Sequence, residues 1–80
     1  MTFEHLAQRP GSWEMFIKGT RKRAWTVVHH LEMAGLTIEE AADDHYVSVA
    51  AVREAVEWCR ANRELILRKE REAIKRAATR

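Results

Sequence analysis

The chain has few of the residues that cross-link a fold or interrupt helices and strands. Its 80 residues include one cysteine, one proline and three glycines. The single cysteine excludes an internal disulfide, so only noncovalent packing can hold the chain together. Neither glycine nor proline follows Gly35, and the second half of the chain therefore lacks the residues that most strongly interrupt helices.

Long apolar runs and a strong excess of one charge are also lacking. No run reaches about 18 apolar residues, the length of a membrane-spanning helix, which predicts no membrane association. Glu4 and His5 stand where a signal peptide needs its apolar segment, so we expect a cytoplasmic protein. The formal net charge of +2 permits binding to nucleic acid without requiring it. A single domain of this length buries only a modest core, which favours association with a partner or a second copy.

The stretch Thr37–Trp58 has the pattern of two helices joined by a tight turn. Thr37 is a favourable N-cap, and Glu40 stands at the position that completes a capping box. We expect this helix to end near residue 44 or 45. Ser48 then caps a second helix, whose apolar residues recur at helical spacing. The layout is that of a helix-turn-helix, although a plain helical hairpin has the same pattern.

A short strand is predicted ahead of these helices. In Trp13–Lys18, alternate positions carry Trp13, Met15 and Ile17, which is the period of a strand. A lone strand leaves its backbone groups unpaired, so it must pair with residues 1–12 or with the same strand of a second chain. We otherwise expect residues 1–12 to form a loose leader that ends in a turn at Pro10. If the strand pairs between chains, the dimer contacts are Trp13, Met15 and Ile17.

One helix before the helix-turn-helix and one continuing beyond it complete the prediction. Ala24–Ala34 carries an apolar face and precedes Gly35, which suits a left-handed C-terminal cap. From Ser48 the helical pattern runs on without a breaker, so we expect one long helix whose apolar density falls after Leu67. The predicted fold class is mainly α, a small helix-turn-helix domain with a short N-terminal β-strand and a long C-terminal helix. The chain is divided into a leader (1–12), a folded core (13–67) and a charged helical tail (68–80).

Several short motifs occur along the chain in a specific combination. They are Lys18-Gly19-Thr20-Arg21, Trp25, Ala34-Gly35-Leu36-Thr37, Glu39-Glu40-Ala41-Ala42, Val47-Ser48 and Val52-Arg53-Glu54-Ala55. Over Phe16–Leu67 the chain thereby resembles the domain of unknown function 433 family, small antitoxin-like proteins. The resemblance implies a short strand, a helix and a helix-turn-helix, usually in a dimer. It also implies DNA binding and pairing with a toxin that resembles a PIN-domain ribonuclease. The family usually has an apolar residue and a proline after Gly-Thr-Arg, and Lys22-Arg23 make this loop more cationic.

Phosphate contact is one interpretation of Arg21–Arg23, here called the basic loop, and a structural role is favoured for Arg21. Cations supply most of the non-specific affinity for DNA, and the alternative is a solvated turn in which Arg21 pairs with a carboxylate such as Glu40. Base readout requires long polar side chains near the start of the second helix, where only Arg53 qualifies. Nearby acidic residues, Asp43, Asp44 and Glu54, oppose DNA binding. The predicted DNA-binding residues are Arg21, Lys22, Arg23, Ser48, Ala50 and Arg53.

The charged tail has three interpretations. It can follow DNA, bind a partner protein, or remain a solvated helix. The antitoxin-like resemblance favours partner binding, because a segment that is poorly stabilised alone can become ordered on a partner. The predicted partner contacts there are Leu65, Arg68 and Arg71.

No catalytic, metal or cofactor site is predicted. The adjacent His29 and His30 point about 100° apart on a helix, so they do not converge on one ion. Cys59 lies on an apolar stripe and is predicted to be a core residue rather than a nucleophile. Without an acid–base pair we expect no enzymatic activity.

Our leading hypothesis is an antitoxin-like DNA-binding protein, a dimeric autorepressor of a toxin–antitoxin operon. Its partners would be DNA, a second copy of the chain and a PIN-domain-like ribonuclease toxin. The alternative is a protein-interaction module. Such a module would neutralise a toxin or join a larger assembly through the C-terminal helix, without sequence-specific DNA binding.

Overall fold

The computed structural model describes residues 3–78, which form four helices and a two-stranded sheet. This confirms the predicted fold class. No helix in this part of the chain has the length and apolar character needed to cross a membrane. The elements are β1 (Leu6–Gln8), β2 (Met15–Ile17), α1 (Ala24–Ala34), α2 (Ile38–His45), α3 (Val49–Ala61) and α4 (Arg63–Ala78).

The sheet pairs within the chain. β1 and β2 are antiparallel, with Leu6 opposite Ile17 and Gln8 opposite Met15. The prediction of a loose leader is therefore wrong for β1, and Leu6, only 3% exposed, belongs to the core. One buried leucine in a three-residue strand gives too little pattern to be read from sequence. Residues 1 and 2 of the leader, like 79 and 80 of the tail, lie outside the described residues.

The predicted bounds of α1 are confirmed, and its end is capped by glycine. Gly35 adopts the left-handed conformation at φ 65°, which costs glycine little because it has no Cβ. The backbone N–H of Leu36 then donates to the carbonyl oxygen of Leu31 at 2.9 Å, which brings Leu36 back against the core. The buried residues of α1 are Ala24, Val27 and Val28.

Both predicted N-caps of the helix-turn-helix are confirmed. The Thr37 hydroxyl accepts from the backbone N–H of Glu40 at 3.1 Å, and the Glu40 carboxylate accepts from the backbone N–H of Thr37 at 2.9 Å. The Ser48 hydroxyl accepts from the backbone N–H of Ala51 at 3.1 Å. Each bond satisfies a donor that a helix start leaves unpaired, which fixes where α2 and α3 begin.

Small side chains fill the contact among the three central helices. Ala41 and Ala42 of α2 are buried, and α2 packs against both α1 and α3. Alanine lets helix backbones approach closely because little side-chain volume stands between them. The buried residues contributed by α3 are Ala51, Val52, Ala55, Trp58 and Cys59.

The prediction of one unbroken helix from Ser48 onward is wrong, because a break at Asn62 separates α3 from α4. The side-chain amide of Asn62 donates to the carbonyl oxygen of Trp58 at 2.9 Å. The backbone N–H of Asn62 donates to the same carbonyl oxygen at 3.0 Å, so the side chain adds a second bond at the end of α3, and the break needs no glycine or proline. Beyond it, α4 is held by buried Ile66 and by Trp25, whose Nε1–H donates to the Glu70 carboxylate at 2.7 Å. Residues 71–78 are exposed.

Candidate nucleic-acid interface

The backbone of the basic loop is fixed by hydrogen bonds. The Thr20 hydroxyl donates to the carbonyl oxygen of Ile17 at 2.8 Å and accepts from the backbone N–H of Lys22 at 3.0 Å. The backbone N–H of Ile17 donates to the carbonyl oxygen of Lys22 at 2.9 Å. The loop is therefore held in one shape before it meets any ligand, which lowers the entropy cost of binding.

The three cations of the basic loop have different surroundings. Arg21 is exposed, and among residues 3–78 it forms no ion pair, so the suggested pairing with Glu40 is not seen. Arg23 Nε lies 3.3 Å from a Glu14 carboxylate oxygen, which partly neutralises its charge. Lys22 is half-buried and lies near His45 at the end of α2. Arg21 and Lys22 are thus the loop's better candidates for phosphate contact.

The electrostatic effect of Lys22 reaches the helix-turn-helix. Burial lowers the pKa of His45 below its ordinary value, and the positive charge of Lys22 and the neighbouring His30 lower it further. The Asp44 carboxylate acts in the opposite direction. A positive side chain of the basic loop therefore stands beside the last residue of α2.

A cleft of about 220 Å³ separates the segment before the basic loop from the start of α3. It is lined by Lys18 and Thr20, by Tyr46, Ser48 and Ala51, and also by Glu4 and His5 of the N-terminal segment. Lys18 and Thr20, which directly precede the basic loop, thus adjoin one cavity with the N-terminal end of α3, although they are far apart in the sequence.

The outer face of α3 offers one strong candidate for base contact. Arg53 is exposed, and Glu57 and Arg60 follow it on the same face at helical spacing. Ala50 is half-buried, while Ser48 is exposed and keeps its hydroxyl proton available despite capping the helix. The arrangement supports contact with few bases per chain.

The acidic residues near this surface differ in whether their carboxylates are hydrogen-bonded within the protein. Glu39 and Asp43 line the opposite side of the turn together with Tyr46, so they face the start of α3. Glu54, by contrast, accepts from the backbone N–H of His5 at 2.9 Å and also contacts the His5 ring. Burial disfavours the charge of Glu54, but the His5 hydrogen bonds outweigh it and leave the Glu54 pKa below its ordinary value. The carboxylate of Glu54 is thus tied to the N-terminal segment.

Tyr46 is a candidate that the sequence did not reveal. It is 92% exposed and is the only non-glycine residue with positive φ in the described chain, at 56°. A left-handed conformation costs a bulky residue roughly 1–2 kcal/mol, and here it allows the backbone to turn from α2 into α3. An exposed aromatic ring is therefore displayed at the turn itself.

If this surface binds DNA, replacing Tyr46 with asparagine should preserve the fold and weaken that binding. Asparagine tolerates the left-handed conformation, and the exposed ring contributes little packing. Loss of a phenol–phosphate hydrogen bond should weaken binding by about 1 kcal/mol, roughly fivefold. Fluorescence anisotropy with labelled duplex measures this, and thermal unfolding controls for the fold. Tyr46→Phe should behave like the asparagine variant, and unchanged affinity in both would exclude a role for the hydroxyl.

The strand predicted to form the dimer, β2, makes most of its contacts within its own chain. Ile17 is only 3% exposed and belongs to the chain's core, which corrects its assignment as a dimer contact. β2 pairs with β1, and Phe16 also forms a bridge with Arg23. Met15 is half-buried, and Trp13 stacks on Trp58 with ring centroids 6.5 Å apart. Pairing of β2 between chains would therefore require breaking bonds made within one chain.

The predicted partner contacts of α4 differ in how exposed they are. Leu65 is half-buried, whereas Arg68 and Arg71 are exposed. Two further apolar side chains are accessible on this helix, Leu67 and, at 70% exposure, Ile74. Spaced seven residues apart, Leu67 and Ile74 lie on one face of α4.

Cys59 is a buried core residue, as predicted. Burial raises the pKa of its thiol to about 12, with smaller contributions from Glu32 and Glu14. The thiol is therefore protonated at neutral pH and is a poor nucleophile. We expect Cys59 to resist a thiol reagent such as dithionitrobenzoate in the native protein and to react at once in denaturant. Rapid labelling of the native chain would contradict this burial.

Comparison with known proteins gives no match. No protein-family model, no curated protein and no solved structure matches the chain. The resemblance to the domain of unknown function 433 family therefore stays a prediction, and the candidate interface stands on its own geometry.

Proposed function

We propose that this protein binds duplex DNA with the basic loop and the N-terminal half of α3. The observation that carries this is the cleft lined by Lys18 and Thr20, directly before the basic loop, and by Tyr46 and Ser48 at the start of α3. The Ser48 N-cap supports it as well, since it fixes the start of α3. A helix of this kind can enter the major groove when its start is exposed.

Phosphate binding accounts for most of the affinity in this arrangement. Arg21 and Lys22 supply positive charge from a loop whose backbone is already fixed. The start of α3 adds a partial positive charge from its aligned peptide dipoles. Each phosphate that a cation neutralises releases counterions, so binding must weaken steeply as salt increases.

Base readout is restricted to a small part of α3. Arg53 can donate two hydrogen bonds to guanine, and Ala50 can contact a thymine methyl group. Glu57 on the same face disfavours close approach to the DNA backbone. Specificity per chain should therefore be modest, and we expect two copies bound to two half-sites to increase it.

The biological role that fits this activity is an antitoxin-like autorepressor. The sequence resemblance and the exposed end of α4 support that role, with a PIN-domain-like ribonuclease toxin as the partner. Ile17 is buried and β2 is paired within the chain, so a dimer of this protein would use a surface other than the Ile17 face of β2.

The test is binding to the duplex immediately upstream of the protein's own gene across a range of salt concentrations. We expect tight binding at low salt and a steep linear fall in log affinity with log salt. An unrelated duplex of equal length serves as the specificity control. Absence of binding at low salt, or binding that does not respond to salt, would remove the proposed function.

A second candidate function is a protein-interaction module that uses α4. It is favoured by the exposure of residues 71–78 and by the 70% exposed side chain of Ile74. Ending the chain after Glu70 removes this surface while keeping the Trp25–Glu70 hydrogen bond. Loss of complex formation with a co-expressed toxin, while DNA binding is retained, would assign residues 71–78 to protein contact.

A further inference from the structure

Two histidines from different helices meet beside the helix-turn-helix. His30 lies in the second half of α1, and His45 is the last residue of α2. The Nδ1 atom of His30 is 3.0 Å from the Nε2 atom of His45. Their ring centroids are 5.1 Å apart with an interplanar angle of 76°. His30 is exposed and His45 is half-buried, so solvent reaches the pair.

The separation of the two nitrogens matches that of two ligands on one metal ion. Zinc–imidazole bonds are about 2.0–2.1 Å long, and at angles between a right angle and the tetrahedral angle they separate the nitrogens by about 2.8–3.4 Å. The observed 3.0 Å is at the lower end of this range. The same distance is also an ordinary hydrogen-bond length, so an ion would replace the bond between the rings, and each ring must rotate to aim its lone pair at the ion.

We propose that His30 and His45 form a two-histidine site for a divalent transition-metal ion such as Zn²⁺ or Ni²⁺. Both imidazoles bind in the neutral form. The ring that donates the hydrogen bond in the free protein moves its proton to its other nitrogen, so no net proton is released. Water completes the coordination, and two imidazoles favour zinc, nickel and copper over magnesium or calcium.

The charges around the pair are of both signs, and the positive Lys22 has the larger effect on His45. Lys22 approaches His45 from the basic loop and opposes a cation, while the Asp44 carboxylate next to His45 favours one. His29 does not take part, because its ring lies 5.1 Å from that of Trp25. It is nonetheless exposed on the same helix as His30, which makes it a matched control.

One other group in the described chain could hold an ion. Ligand atoms of Glu4, His5 and Glu54 lie within 4.8 Å of one another. The Glu54 carboxylate there accepts from the His5 backbone N–H and contacts the His5 ring, so an ion would have to displace that ring contact, as it would displace the hydrogen bond between His30 and His45. The group of Glu4, His5 and Glu54 supplies the competing assignment that an experiment must separate from the histidine pair.

An ion at the histidine pair would link α1 to the last turn of α2, directly before Tyr46. That link stabilises the folded state because the unfolded chain does not bring residues 30 and 45 together. Stabilisation then grows with the logarithm of ion concentration above the dissociation constant. The segment that determines where α3 begins would become more rigid.

Isothermal titration of the tag-free full chain with Zn²⁺ and separately with Ni²⁺ tests the site. We expect one ion per chain, with affinity at least tenfold lower in His30→Ala and in His45→Ala and unchanged in His29→Ala. Added ion should raise the midpoint temperature of thermal unfolding in the wild type and in His29→Ala, but not in His30→Ala or His45→Ala. Affinity that survives both His30→Ala and His45→Ala, or that is lost in His5→Ala, would overturn the assignment. The measurement uses no DNA, so its outcome is independent of the proposed function.

Discussion

Replacing Ile66 with alanine is expected to lower the free energy of unfolding by about 2–5 kcal/mol. Ile66 is 2% exposed, and it is the one buried residue of α4. Removing three of its carbons loses apolar burial and leaves a cavity where α4 meets α1 and α3. Because small domains are only marginally stable, this is a large fraction of the total.

The same substitution at Ile74 provides a matched control. Ile74 lies on the same helix but is 70% exposed, so Ile74→Ala should change stability by less than about 0.5 kcal/mol. Urea unfolding followed by circular dichroism measures both variants, and similar slopes against urea would show that the unfolded states are comparable. Equal effects of the two substitutions would mean that α4 is not docked through Ile66.

The double substitution Arg21→Ala with Lys22→Ala is expected to weaken DNA binding about 10- to 100-fold at low salt. Each lost phosphate contact should also reduce the slope of log affinity against log salt by about 0.9. The backbone of the basic loop should persist, because its hydrogen bonds come from Thr20 and from main-chain groups. Anisotropy titrations at several salt concentrations measure both quantities.

Arg68→Ala with Arg71→Ala provides the control for net charge. Both residues are exposed, and the variant loses the same two positive charges from α4. We expect its DNA affinity to stay within about twofold of the wild type if only the basic loop contacts phosphate. Similar losses in the two variants would show that binding depends on overall charge, and the basic loop would then have no special role.

The parts of the fold that sequence predicted well are those determined by neighbouring residues. Thr37 and Ser48 cap helices through bonds that span three residues, and Gly35 ends α1 through its own backbone freedom. Such interactions depend on residue type and spacing alone. The bounds of α1 and the starts of α2 and α3 were therefore accessible before any coordinates were known.

Most parts that sequence missed depend on distant contacts or on unusual conformations. The contact between His5 and Glu54 joins residues 49 positions apart, and the pairing of His30 with His45 needs two helices to be placed first. Tyr46 occupies a left-handed conformation that residue type disfavours. At Asn62 an ordinary helical residue ends a helix by bonding its side chain to the backbone. The first three depend on tertiary placement or an unusual backbone conformation, whereas the Asn62 bond is local and was missed because its residue type gives no strong signal.

The change in backbone amide chemical shifts on adding a mixed-sequence duplex at low salt tests DNA contact most directly. If the basic loop and the start of α3 bind DNA, the largest changes will fall on residues 18–23 and 46–53. Residues 71–78 should then be nearly unaffected. Changes confined to 71–78, or no changes at low salt, would contradict the proposed interface.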